Sequence, residues 1–329
     1  MTATMDHTAD PGLEPQPKRL RRGTRQKPPA QSRKQPQKRT RRTPAPAGPP
    51  GAAESTAAVL SSTFTMIAIV CLWVAVQLLF LSSISQNRAQ DLLYNQFRGD
   101  LAGATAPVGP IVPPGDPVAL LTVPSIGLEQ VVVEGTSSGD LLVGPGHRRD
   151  TALPGQVGTA VVYGRAAAYG GPFADLTDLQ AGDKIQVDVG QGRKVFRVSG
   201  VRRAGDPLPQ PPAAGAARLT LVTAEGSGRL GALAPESVVY VDADAKKGYP
   251  APAGRAAAVP DSEQSMARDT SALPLLALCL ALLLALTLGV IAARQRWSTA
   301  LVWVVATPLV IALSWATTDV VMRLLPNLI

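Results

Sequence analysis

Thiol and imidazole side chains are the groups best suited to nucleophilic and acid–base catalysis near neutral pH, and this chain has few of them. Its two cysteines, Cys71 and Cys279, both lie in long apolar runs. A thiol buried in apolar surroundings is inert, and no other stretch carries one. The two histidines are His7, in a basic leading segment, and His147, in "GPGH". With no second histidine or cysteine beside it, His147 makes no zinc site, and it reads as a structural ring, with recruitment as a base as the alternative. Ser125, Ser137 and Ser138 have no base partner in view and read as turn residues. Asp175, Asp178 and Asp183 read as solvated turn carboxylates, with a calcium site as the alternative. No residue pattern calls for a cofactor or a metal.

The elements that would position a site are bounded by composition. The net charge of +8 is concentrated in residues 1–56, where twelve Lys/Arg run from Lys18 to Arg42 with no acid between Glu14 and Glu54. That Pro- and Gln-rich segment has too little apolar surface to offset its ordering entropy and is expected to be disordered. It lacks aromatic interleaving, so attraction to an anionic inner leaflet, at roughly 1 kcal/mol per close Lys/Arg, is expected in place of nucleic-acid binding. Residues 57–83 hold no charge over 27 residues, enough for one helix across a bilayer of ~30 Å. A signal peptide is the competing reading, but the run is long for one and "SQNRAQ" offers no small-residue cleavage site. Residues 271–293 and 297–318 are two more apolar runs, separated by "RQR". The positive-inside rule then places the tail and Arg294–Arg296 in the cytoplasm and residues 84–270 outside, with three spans in all.

Within the external region, "QNRAQDLLYNQFRGDL" has helical spacing, with Leu92, Leu93, Phe97 and Leu101 near one face. Together with the Pro/Gly-rich stretch that follows, it makes residues 84–117 a juxtamembrane helix and linker. Residues 118–244 change to short β-type runs: "ALLTV", "QVVVE", "GTAVVYG", "KIQVDV", "KVFRVSGV", "RLTLVT" and "SVVYVDA". Many short strands with little helix predict a mainly β domain, a barrel or sandwich of about 130 residues. Residues 245–270 read as a flexible tether.

Four stretches carry a more specific signal: "VPSIGLEQVVVEGT", "LLVGPGHRRDTALPGQVGTAVVYGR", "GGPFADLTDLQAGDKIQV" and "RLTLVTA". In that order they resemble a sortase domain, and are most similar to the actinobacterial class E type. The resemblance spans residues 86–244 and implies the sortase fold, an eight-stranded β-barrel with short helical turns. Members of that family cut a sorting signal with a cysteine thiolate and pass the acyl group to an amine. A histidine acts as acid/base, and an arginine stabilises the oxyanion or orients the substrate. In the family pattern the cysteine ends a "TLxTC" strand, the histidine follows a glycine in "AGH", and the arginine opens the last strand.

Carried onto this chain, the cysteine position is Ala224 in "TLVTA" and the histidine position is Arg165 in "VVYGR". The arginine position falls at or beside Ser237, with Arg229 about eight residues early in the preceding loop. A methyl group cannot attack a carbonyl, and a guanidinium does not shuttle protons at physiological pH. The resemblance therefore implies a pseudo-sortase with no catalytic residue. Its groove, with Arg165, Thr223, Ala224, Glu225, Arg229 and His147 as candidates, would bind an extended peptide or an envelope protein. A true sortase is a further candidate partner. Two other readings stay open: a hydrolase or transpeptidase with a non-cysteine nucleophile, using His147 and Arg165, and a structural subunit of a membrane complex.

Overall fold

The computed structural model describes residues 52–109, 111–226 and 235–329. The chain divides into a leading unit, Met1–Ala57, and a second unit, Ala58–Ile329, which holds the barrel. The disorder expected of residues 1–56 lies almost wholly outside the described residues.

Eight strands close a barrel in the order β1-β2-β3-β4-β7-β8-β6-β5. They are β1 (Pro117–Val123), β2 (Leu128–Glu134), β3 (Gly146–His147), β4 (Gly158–Tyr163), β5 (Lys184–Val189), β6 (Gly192–Arg203), β7 (Ala217–Glu225) and β8 (Ser237–Ala245). Pairing is antiparallel except for β2 with β3 and β4 with β7, which are parallel. The seven β-type runs of the sequence correspond to seven of these strands. The eighth, β3, is only two residues long, too short for any alternation to mark it, and it contains His147.

Alternation decides which side chains fill the barrel. In β5, Ile185, Val187 and Val189 are buried, whereas Lys184, Gln186 and Asp188 are not. They join Leu121, Val162, Phe173, Phe196, Leu219, Leu221 and Val241 in one interior core. Burying such side chains contributes roughly 1.5–3 kcal/mol each. A second, smaller cluster lies elsewhere: Leu141, Tyr163, Ala166, Val222, Ala224 and Leu328. Tyr163 directly follows the core residue Val162, so the pleat places the two on opposite faces of β4. The second cluster therefore sits on the outer face of the sheet.

Helix α2 (Ser82–Ala102), expected as a juxtamembrane helix, docks on the barrel, though not through the whole apolar stripe expected of it. Phe97 is buried, but Leu92 stays exposed. The contact is largely polar: the Gln90 amide oxygen accepts from Val131 N at 2.7 Å, and its Nε2 donates to Val131 O and Val143 O. Beyond its bridge to the two-residue β3, β2 has free backbone groups, and Gln90 satisfies them.

Where three spans were expected, two helices among the described residues are long and apolar enough to cross a membrane. They are α3 (Leu273–Ala293) and α4 (Thr299–Arg323). The first expected span falls on α1 (Ala52–Val76), in which the apolar helix among the described residues is only Ile67–Val76. Hydroxyl residues such as Ser61 and Thr65 precede that piece, and the polar Gln77 opens a π-helical turn, Gln77–Leu81, at its end, so the apolar α-helical piece among the described residues is shorter than a span. Residues 245–270 include a 3-10 turn, Asp261–Glu263, whose Glu263 is buried and pairs with Arg149.

Candidate functional site

The parallel pair β4/β7 places the expected site residues at one end of the sheet. Val222 lies beside Tyr163, and Gly164 N–H donates to Val222 O, which extends the pairing past the end of β4. Paired residues of neighbouring strands point to the same face. Tyr163 and Arg165 are therefore on the outer face with Val222 and Ala224. Gly164 is small for a reason: a Cβ there would collide with the Phe173 ring. Ser237 opens β8 opposite Glu225, one step from Ala224.

Ala224 is buried among Leu141, Val222 and Leu328. Arg165 is fully buried, with 0% of its surface exposed. Its Nε donates to Leu141 O at 3.1 Å and its Nη1 to Ile329 O at 2.9 Å. Its Nη2 reaches Ser138 O at 2.9 Å and Ser138 Oγ at 3.0 Å. The guanidinium carbon lies 5.5 Å from the centroid of the Tyr169 ring, a cation–π contact. Burial pulls the Arg165 pKa down to about 10, which still leaves it a cation at neutral pH. Burial also pushes the Tyr169 phenol well above its usual range, helped by a 2.6 Å hydrogen bond to Asp319 Oδ1.

The remaining candidates divide between the two faces. Thr223 points inward, and its hydroxyl donates to Gly164 O at 3.1 Å. His147 pairs with the core residue Val162, so it too lies on the inner side, away from Arg165 and Ala224. Its ring is held at both ends, with Nδ1 2.8 Å from Glu134 Oε2 and Nε2 2.8 Å from Ala152 O. Glu225 accepts two hydrogen bonds from Arg203, at 2.6 and 2.9 Å, which hold its carboxyl below the usual carboxylate range. Arg229 lies outside the described residues. Asp183 accepts from Gln180 N, a turn contact. Among the described residues no group of three or more His, Cys, Asp and Glu clusters as metal ligands would.

Alongside this buried corner, an open cleft of about 430 Å3 runs over the outer face of β4, β7, β8 and β6. Tyr163, Thr220, Tyr240 and Asp242 form its floor, and Leu208, Pro209, Pro211 and Pro212 of the long loop after β6 form one wall. Its arginines are all paired: Arg148 with Asp150, Arg202 with Asp242 and Arg218 with Asp244. Arg202 also stacks 4.1 Å from the Tyr240 ring centroid. Sequence reading had passed over this set. The alternation in "AVVYG" does put Tyr163 opposite the core-facing Val162, so one member carried a usable signal.

Residues 121–244 match the sortase domain family. No curated protein matches the chain. Among solved structures, the chain is similar to the SrtA sortase of Actinomyces oris, at 28% identity and a TM-score of 0.36, covering 42% of this chain and 84% of that one. It is also similar to sortase E of Streptomyces avermitilis, at 25% identity and a TM-score of 0.35, covering 46% and 100%. A Clostridium perfringens sortase D5 transpeptidase matches at 19% identity and a TM-score of 0.38, covering 48% and 96%.

Proposed function

We propose that this chain carries a sortase-like domain without transpeptidase chemistry, and acts as a membrane-anchored peptide- or protein-binding component of the cell envelope. One observation carries the reading. At the corner where β4, β7 and β8 meet lie Ala224 and Arg165, which the sequence resemblance assigns to the family's nucleophile and acid/base positions, and the guanidinium is committed to four hydrogen bonds. Neither side chain can form an acyl intermediate or move a proton at neutral pH.

The open cleft along β4, β7 and β8 supplies what a binding role needs. Tyr163 and Tyr240 offer flat apolar surface with polar edges, and the proline wall restricts an entering chain to an extended shape. For anchoring, α3 and α4 form a helical hairpin whose turn contains Arg294 and Arg296. The positive-inside rule places that turn in the cytoplasm and hence the barrel outside.

The test uses the full chain in detergent micelles, presented with a panel of fluorescent extended pentapeptides and an amine acceptor. Saturable polarisation changes that weaken in Tyr240→Ala, with no cleaved or transferred product, support the reading. Peptide cleavage that survives thiol reagents and is lost in His147→Ala would sink it. A structural-subunit role is the second reading, favoured by how deeply the barrel engages residues of α4 and beyond. It predicts no peptide binding in any variant.

A further inference from the structure

We infer that the segment Leu325–Ile329 is the resident ligand of the corner that would hold catalysis: an intramolecular plug that closes the inner end of the groove. The inference deepens the binding reading above, because it states what already occupies that site.

Leu328 has 0% of its surface exposed and packs in the cluster that contains Ala224, Val222 and Tyr163. It therefore shares one apolar cluster with the residue at the nucleophile position. The segment is also held through its backbone. Ala166 N donates to Leu328 O at 3.0 Å, and Arg165 Nη1 donates to Ile329 O at 2.9 Å. Asn327, likewise fully buried, donates from Nδ2 to Thr136 O at 2.8 Å and to Gln264 O at 2.9 Å, and its own N–H donates to Ala267 O. The segment is a turn, closed by Ile329 N donating to Pro326 O at 3.3 Å, and it is held by backbone hydrogen bonds and by one buried apolar side chain.

The plug continues directly from α4, so it is tied to the membrane hairpin. Ser138 Oγ, which accepts from Arg165, lies 3.1 Å from Met322 O and 3.0 Å from Leu325 O. Tyr169, four residues after Arg165, donates to Asp319 of the same helix. Arg165 and its turn thus grip both the plug and the helix that leads to it. An external peptide reaches the open cleft at Tyr163 and Tyr240, but its path beyond Tyr163 is blocked until α4 shifts.

The experiment uses the full chain in micelles with Cys71→Ala and Cys279→Ala, and a membrane-impermeant maleimide. In this background Leu328→Cys should label at least tenfold more slowly than in the denatured protein. Ala224→Trp, which crowds the cluster that holds Leu328 while leaving the Arg165 side chain itself unchanged, should bring labelling to within threefold of the denatured rate. Asn327→Ala, a milder change, should accelerate it severalfold, which serves if the tryptophan variant does not fold. In the same background, Ala224→Cys with Leu328→Cys should form a disulfide on mild oxidation. Labelling of Leu328→Cys alone at the denatured rate, or no disulfide in the pair, overturns the plug. Absence of peptide binding in every variant would instead overturn the binding reading, leaving the labelling result as it stands.

Discussion

Replacing Arg165 by methionine isolates the contribution of its guanidinium, because the unbranched thioether refills most of the aliphatic volume without any donor. The substitution strips a charged donor from three buried carbonyls, Ser138 O, Leu141 O and Ile329 O, and from Ser138 Oγ. A buried acceptor left without its partner costs about 1–3 kcal/mol, so the carbonyls alone put the gross loss at roughly 3–9 kcal/mol. Against this, a cation with no exposed surface no longer has to be desolvated, which returns several kcal/mol. The middle of the gross range, about 6 kcal/mol, less about 3 kcal/mol for desolvation leaves about 3 kcal/mol. That corresponds to a roughly hundredfold larger opening constant for the corner, at tenfold per 1.4 kcal/mol. Hydrogen exchange read by mass spectrometry on the full chain in micelles reports it at two amides, Ala166 N–H, which donates to Leu328 O, and Asn327 N–H, which donates to Ala267 O. Both should exchange about a hundredfold faster, while Leu219 and Val241 in the barrel core stay protected. Arg165→Lys should fall between, since an ammonium keeps the charge but lacks the planar fork that reaches three separated acceptors. Exchange at Ala166 within threefold of the parent protein would refute the reasoning, because the plug would then be held by something other than Arg165.

Three further outcomes are expected. Ala224→Cys should show no peptide transfer and only slow alkylation, read with a chromogenic thiol reagent, because the position is buried in an apolar cluster and Arg165 cannot take a proton. His147→Ala should cost about 3–5 kcal/mol in a denaturant melt, since the Glu134 carboxylate, 1% exposed, loses its partner at 2.8 Å; adding Glu134→Leu should recover part of the loss. The Glu225 carboxyl is held low by Arg203, so its folded state binds fewer protons than the unfolded chain in the acid range. Its contribution is present above the unfolded value and is lost as pH falls through the folded one. Glu225→Gln should therefore flatten the acid limb of a melting-temperature profile below about pH 4.5, by a small amount because the pair is largely solvent-exposed.

How much of this was legible in the sequence depended on length scale. Strands of six or more residues announced themselves by alternation, as in "KIQVDV", and the order of motifs was enough to suggest a barrel. The two residues of β3 carry no period, so nothing in "GPGH" marks His147 as a ladder residue with its ring on the inner side. In α2 the apolar spacing was visible, but the docking depends on Gln90, a side chain whose value lies in the free backbone groups it meets on β2. Ser138 read as a turn residue, and nothing local to it indicates that its hydroxyl would meet Arg165, Met322 and Leu325. The contact between Arg165 and Ile329 joins residues 164 positions apart, and no periodicity or propensity reaches that far.

That long-range contact changes how the residues at 165 and 224 are read. Taken alone, an arginine at the position that the family resemblance assigns to a histidine is an anomaly: a cation forced into a dry corner, at a cost of several kcal/mol without partners. Here it is supplied with three backbone oxygens, a hydroxyl and an aromatic face, the full set that makes such a burial affordable. The methyl group of Ala224 likewise lies in the apolar cluster that holds Leu328. Each residue favours the same occupant, Arg165 by donating to the backbone of Ile329 and Ala224 by adding little bulk to the cluster that holds Leu328. The two positions therefore form a coupled pair whose energetics run through residues 325–329. Restoring cysteine and histidine at 224 and 165 together should not restore transfer while Leu328 stays in place. The imidazole could donate to at most two of the four acceptors, and the thiol would still face a leucine instead of a substrate.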